Sequence, residues 1–340
     1  IESILIANLA ASATSLLLLL PSAAGQIGGG VDRAVWKQLL VFGLPFVPGG
    51  LGYALVERLN IFFLERIPPE RVIELYGADV GGADLAARAA ELGPYVYTEY
   101  VVGAYGGIIK LAVLMALVVQ MFRYAWQPFF LQHQNDEDAR PLFARVFSLL
   151  TLALLTVFLG VSFFAAEIVS FPIPGVGPLI QPRYWLGLPV IPVVLAGFVF
   201  QGWYYHISAA AYLSNTTKYF VHATMTGSAA ALLLNVLFVP RLGMMAAAAA
   251  TAVSYAVMTI TLYALTRRAY AMPIRFGRVA AAVAAACAVF AVWSVFPTVR
   301  TLWAETLLIA GFVVVSARIL DVRIGSAVRL LLPGGRDGPP

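Results

Sequence analysis

Apolar residues recur along the chain in stretches of spanning length, broken by short polar or Gly/Pro-containing segments. The runs fall near 3 to 21, 38 to 64, 100 to 122, 143 to 165, 186 to 208, 219 to 239, 244 to 266, 278 to 296 and 302 to 320. Each is about the length that a helix needs to cross some 30 Å of hydrocarbon. The pattern therefore predicts an all-α polytopic membrane protein with about nine transmembrane helices. The run 38 to 64 is unusual because Glu57 and Arg58 stand side by side within it. Ionisable side chains at lipid depth cost a few kcal/mol or more unless they face a bundle interior or a wet cavity, so they point to function.

Between the first two runs lies AAGQIGGGVDRAVWKQ, a Gly-rich connector followed by a charged amphipathic stretch. It suits a joint between two bundles, with a boundary near residue 37. The longest connection, 65 to 99, carries Glu65, Glu70, Glu74, Asp79, Asp84, Glu91 and Glu99 against Arg66, Arg71 and Arg88. It reads as extracytoplasmic, and DLAARAAELG within it has the spacing of a short surface helix.

Composition supports the membrane reading, since 61% of residues are hydrophobic and only 11% charged, far from the balance of a soluble domain. Basic residues also alternate between the two sides. The segments 22 to 37, 122 to 145, 209 to 218, 267 to 278 and the tail hold most of the Lys and Arg. By the positive-inside rule these lie in the cytoplasm. NTTK at 215 to 218 and Arg267–Arg268 are topology determinants or anionic-lipid contacts. Opening at Ile1 directly into an apolar helix, the chain reads as an internal piece of something longer. Its single cysteine, Cys287, allows no internal disulfide, and neither His206 nor His222 has a companion at metal-ligand spacing. No cofactor is expected.

Three stretches carry a family resemblance: LPFVPGGLGYALVERLNIFF, VGAYGGIIKLAVLMALVVQMFRYAWQPFF at 102 to 130, and residues 188 to 257 with Asn235, Pro240 and Gly243 around a short turn. They resemble bacterial oligosaccharide flippases, the polysaccharide-biosynthesis branch of the multidrug/oligosaccharidyl-lipid/polysaccharide exporter superfamily. That resemblance implies a fourteen-helix, two-lobe transporter of the bacterial inner membrane, working by alternating access on a polyprenyl diphosphate-linked oligosaccharide for lipopolysaccharide or related surface polysaccharide. Residues 1 to 37 would be the last helix of the first lobe and the cytoplasmic connector. Residues 38 to 266 would be the second six-helix lobe, 267 to 322 two additional helices, and 323 to 340 a cytoplasmic tail. Partners implied are the lipid-linked oligosaccharide, membrane lipids and other polysaccharide-assembly proteins, not nucleic acid. The long acidic insertion at 67 to 99 and the absent first lobe depart from the family pattern.

The residues offer candidate sites of their own. Glu57 lies roughly 10 Å inside one span and Lys110 roughly 14 Å inside the next, at about 1.5 Å per residue. Glu57, Arg58 and Lys110 are thus expected to meet as a net-positive cluster facing a cavity, where Arg offers a planar fork and Lys a point charge to phosphate. The competing reading is a Glu57–Lys110 salt bridge that fixes two helices, with Arg58 snorkelling to the headgroups. Arg123 opens RYAWQPFF and is either a first anion contact or an interfacial anchor. Trp203 and Tyr204 can stack on sugar faces or sit in an aromatic belt. Glu57 and Glu167 are the carboxylates open to ion coupling, which a cation-coupled multidrug antiporter of the same fold would require. A non-transporting membrane scaffold is a third class. Catalysis is disfavoured, because no phosphate-cradling Gly-Lys-Ser/Thr loop, Ser/His/Asp set or Cys cluster occurs.

Overall fold

A computed structural model describes residues 2–24, 32–44, 46–80 and 82–322; the tail expected at 323 to 340 lies outside the described residues. Contacts divide the chain into two units, Ile1–Pro45 and Phe46–Pro340. The first holds α1, Glu2–Ala24, and α2, Arg33–Gly43. The apolar run read as 38 to 64 is not one helix. The second helix closes at Gly43 and the next, α3, runs Phe46–Leu64. The sequence explains the break, since Pro45 has no N–H to continue the i to i−4 ladder.

In the second unit α3 is followed by α4, Pro69–Val80, and α5, Ala83–Leu92, so the acidic connection is largely helical. Next come α6, Val96–Ile108, a 3₁₀ turn at Ile109–Ala112, and α7, Val113–Gln132. The helix α8, Ala139–Phe163, leads to short α9, Ala165–Ser170, and an antiparallel pair of two-residue strands, Pro172–Ile173 and Gly177–Pro178. A 3₁₀ stretch, Pro182–Val190, opens α10, Ile191–Leu213. The last elements are α11, Lys218–Thr266, α12, Phe276–Val295, and α13, Leu302–Ile319. Among the described residues six helical segments are long and apolar enough to cross a membrane, which makes this a multi-pass helical membrane protein. The count of nine spans goes beyond what these six show.

One of the six, α11, is a hairpin. Thr226 Oγ1 bonds to Thr261 Oγ1 at 3.2 Å, and a Cβ on Gly227 would run into the Met258 side chain, so the two legs lie antiparallel. The reversal comes at Gly243, with φ 59° and ψ −134°, a conformation that essentially only glycine takes up. Pro240 just before it removes a backbone donor from the first leg.

The helix α4 closes this turn. Arg71 Nε donates to the Pro240 carbonyl at 3.1 Å and its Nη2 to the Arg241 carbonyl at 3.0 Å, while the Met244 N–H donates to Tyr76 Oη at 2.8 Å. Carbonyls ending one leg and an amide opening the next are the groups that helix termini leave without partners. The connection 65 to 99 is further fixed by Thr98 Oγ1, which donates to the Ile67 carbonyl at 3.0 Å, and by buried Ile67, Val72, Val80 and Leu85.

The core lies among α6, α8, α10 and α11, with Tyr105, Ile108, Leu154, Leu159, Ile191 and Met244 buried. Lipid tails are as apolar as these side chains, so helix association depends on close packing and hydrogen bonds. The contact of α3 with α11 uses both: a Cβ on Gly52 would stand 2.8 Å from Ser228 Oγ, which itself donates to the Gly52 carbonyl at 2.6 Å. This approach draws α3 onto the hairpin and forms one wall of a cavity.

Candidate functional site

The cavity, about 370 Å³, is lined by Gly49, Gly50 and Tyr53 of α3, by Arg123, Trp126, Gln127 and Phe130 of α7, by Tyr204, Tyr205, Ser208 and Tyr212 of α10, and by Phe220, Val221 and Thr224 of α11. Aromatic rings dominate its wall, and among the described residues Arg123 is the one charged residue lining it. Its guanidinium carbon lies 4.8 Å from the centre of the Tyr205 ring, within cation–π range. No described carboxylate forms an ion pair with Arg123. The guanidinium is thus oriented by a π face while its N–H donors are not consumed by an acid.

Behind this face the rings are held in place. Trp126 is buried, donates Nε1–H to the His206 carbonyl at 3.1 Å and stacks on the His206 ring at 4.4 Å. His206 Nε2 lies 3.0 Å from the Phe143 carbonyl, which requires the proton on Nε2. The two bonds tie α7 to α10 and α10 to α8. His206 is therefore part of the wall, and among the described residues no cluster of His, Cys, Asp or Glu has metal-binding geometry.

A chain of hydroxyls leads away from Arg123. Tyr205 Oη and Tyr53 Oη are 3.2 Å apart, and Gln201 Nε2 donates to Tyr53 Oη. Tyr255 lies alongside, its ring centre 6.1 Å from that of Tyr53, and donates to Glu57 Oε1 at 3.3 Å. Tyr255, whose ring packs beside that of Tyr53, thus stands between the Tyr53–Tyr205 pair and Glu57.

The sequence-derived candidates separate on this map. Arg123 and Tyr204 line the cavity. Trp203 is turned to α8, where its Nε1 donates to Thr151 Oγ1 at 3.0 Å and its ring packs on Phe147. Glu57, Arg58 and Lys110 are exposed and do not line it. The competing Glu57–Lys110 salt bridge is not formed either, because the Glu57 carboxylate meets Tyr255, and neither Arg58 nor Lys110 pairs with a described acid. Lys110 occupies the 3₁₀ turn between α6 and α7, a kind of break that often marks a hinge. Tyr53, which lines the cavity, and Gln201, which bonds to it, are polar residues that sequence reasoning did not assign to the site. Their signals are a glutamine within an apolar span and a tyrosine four residues before Glu57, hence on the same face of α3.

No protein family, curated protein or solved structure matches the chain.

Proposed function

We propose that this protein is a transporter lobe that helps flip a polyprenyl diphosphate-linked oligosaccharide across a bacterial inner membrane, acting by alternating access and without enzymatic chemistry. The observation that carries this reading is the Arg123 guanidinium, poised over Tyr205 in an aromatic cavity with no acid among its described lining residues. A phosphate brought into such a site meets a planar donor fork, and charge-assisted bonds of this kind are about twice as strong as neutral ones. Sugars beside the phosphate would find ring faces in Tyr204 and Tyr212 and hydroxyl partners in Tyr53, Tyr205 and Ser208. Lipid-linked oligosaccharides combine these three demands in one ligand.

The experiment is translocation of a fluorescent lipid-linked oligosaccharide in proteoliposomes containing the full-length protein. Arg123→Ala is expected to lower the rate about 10-fold or more, the loss of a hydrogen bond to a charged group, with partial retention in Arg123→Lys. Unchanged transport in Arg123→Glu would refute the assignment. A cation-coupled antiporter is the second reading, favoured by the Glu57–Tyr255 hydrogen bond. It predicts that Glu57→Gln abolishes uptake of a cationic dye and that lipid-linked sugar is never moved.

A further inference from the structure

In the first unit, the helix α2 is amphipathic apart from Val41, which by its position in the helix falls among the polar residues. At 100° per residue, Val35, Trp36, Leu39 and Leu40 fall on one side and Arg33, Ala34, Lys37 and Gln38 on the other. All of them are exposed, Trp36 at 55% and Leu39 at 61%. The helix is defined at its start, where Asp32 Oδ1 accepts from the Ala34 N–H at 2.7 Å and the Val35 N–H at 3.4 Å. An aqueous surface would not favour an indole and two leucines displayed together on a well-capped helix.

We propose that α2 lies in the plane of the membrane and docks on an anionic lipid surface. Three observations select lipid as the occupant of its apolar side. First, the preceding helix α1 is apolar from Ile6 to Ser22, the composition of a segment that sits in hydrocarbon. Second, seven residues separate the end of α1 at Ala24 from the Asp32 cap. Even fully extended they reach roughly 25 Å, so the chain itself keeps α2 close to the bilayer. Third, the side opposite the apolar one carries Arg33 and Lys37 and no acid between Arg33 and Gly43, a charge complement to phosphate-bearing headgroups. Trp36 adds the amphipathic ring favoured at the headgroup level. Such helices bury their apolar side about 5–10 Å below the headgroup boundary.

Site-directed labelling tests this directly. In a cysteine-free background, with Cys287→Ala and any cysteine outside these 340 residues also replaced, an environment-sensitive fluorophore is attached through Leu39→Cys on the apolar side or Gln38→Cys on the polar side of the full-length protein. The protein is reconstituted in vesicles of phosphatidylcholine alone or with phosphatidylglycerol. Expected in the anionic vesicles is a blue shift and quenching by lipids brominated near the glycerol for the Leu39 probe. The Gln38 probe is expected to be quenched by aqueous iodide. In phosphatidylcholine alone, or with Arg33→Gln and Lys37→Gln together, the Leu39 probe should lose its bromolipid quenching and gain iodide quenching. A Leu39 probe shielded from iodide yet blind to bromolipid would mean that protein covers this side and would overturn the proposal. So would equal iodide access at both positions, or bromolipid quenching indifferent to headgroup charge and to the two substitutions.

Discussion

Two arginines in the second unit show opposite ways of using a guanidinium. Arg71 on α4 gives its donors to the Pro240 and Arg241 carbonyls and pairs with Glu74 on its own helix. Arg123 on α7 rests on the face of Tyr205 and makes no ion pair with a described acid. The first is committed to closing a turn, whereas the second keeps donors in reserve beside a cavity. The difference separates a charge that serves the fold from a charge available to a ligand, and it calls for opposite mutational signatures.

The largest expected effect lies at the turn. At Gly243 an added Cβ would collide with the Tyr76 hydroxyl, and the backbone already occupies a conformation that other residues take only under strain. Strain alone costs about 1–3 kcal/mol, and displacing Tyr76 also breaks its bond to Met244. Gly243→Ala is expected to lower the unfolding midpoint in detergent more than the other substitutions below, and to free the turn of the hairpin. A variant as stable as the parent would show that α4 does not hold the turn.

How much of this was readable in the sequence depends on whether the information is local. The hairpin in α11 follows from Pro240 and Gly243, and α5 follows from the spacing of DLAARAAELG, because turn chemistry and periodicity act between near neighbours. The clamp was not readable, since the partners of Arg71 and Tyr76 lie about 170 residues away with no pattern to announce them. The Glu57–Lys110 pairing failed for a different reason. Distance from a helix end fixes depth but not rotation, and α3 turns Glu57 toward Tyr255. Rotation likewise separates the adjacent Trp203 and Tyr204, one facing α8 and the other the cavity.

The next effect is at Tyr76. Met244 is buried, so deleting the hydroxyl in Tyr76→Phe leaves its N–H without an acceptor at a cost of about 1–3 kcal/mol. The same contact has a pH signature. Burial raises the Tyr76 pKa above its ordinary value near 10, outweighing the opposing hydrogen bond from Met244. A phenol with a raised folded-state pKa contributes stability that is complete below the unfolded value and is lost as pH climbs from about 10 through the folded one. Parent stability measured from pH 8 upward should therefore fall above pH 10 more steeply than that of Tyr76→Phe. Parallel curves would show that the phenol is not held in its neutral form by the turn.

The smallest effects test the two arginines directly. The Pro240 and Arg241 residues that Arg71 serves are exposed, so water can replace part of what Arg71→Ala removes, and exposed pairing with Glu74 adds little. A loss of about 1 kcal/mol is expected, with ligand handling unchanged. Arg123→Ala removes one exposed cation–π contact, worth about 0.5–1 kcal/mol at most, and should leave the unfolding midpoint close to that of the parent while ligand handling fails. Crossing the two variants in one set of measurements is more decisive than either alone. Arg123 and Arg71 share no partner, so their stability losses should add. A double variant markedly less stable than that sum would mean that the cavity and the clamped turn are mechanically joined. In that case the reserve attributed to Arg123 would be a structural tie rather than a place for an anion.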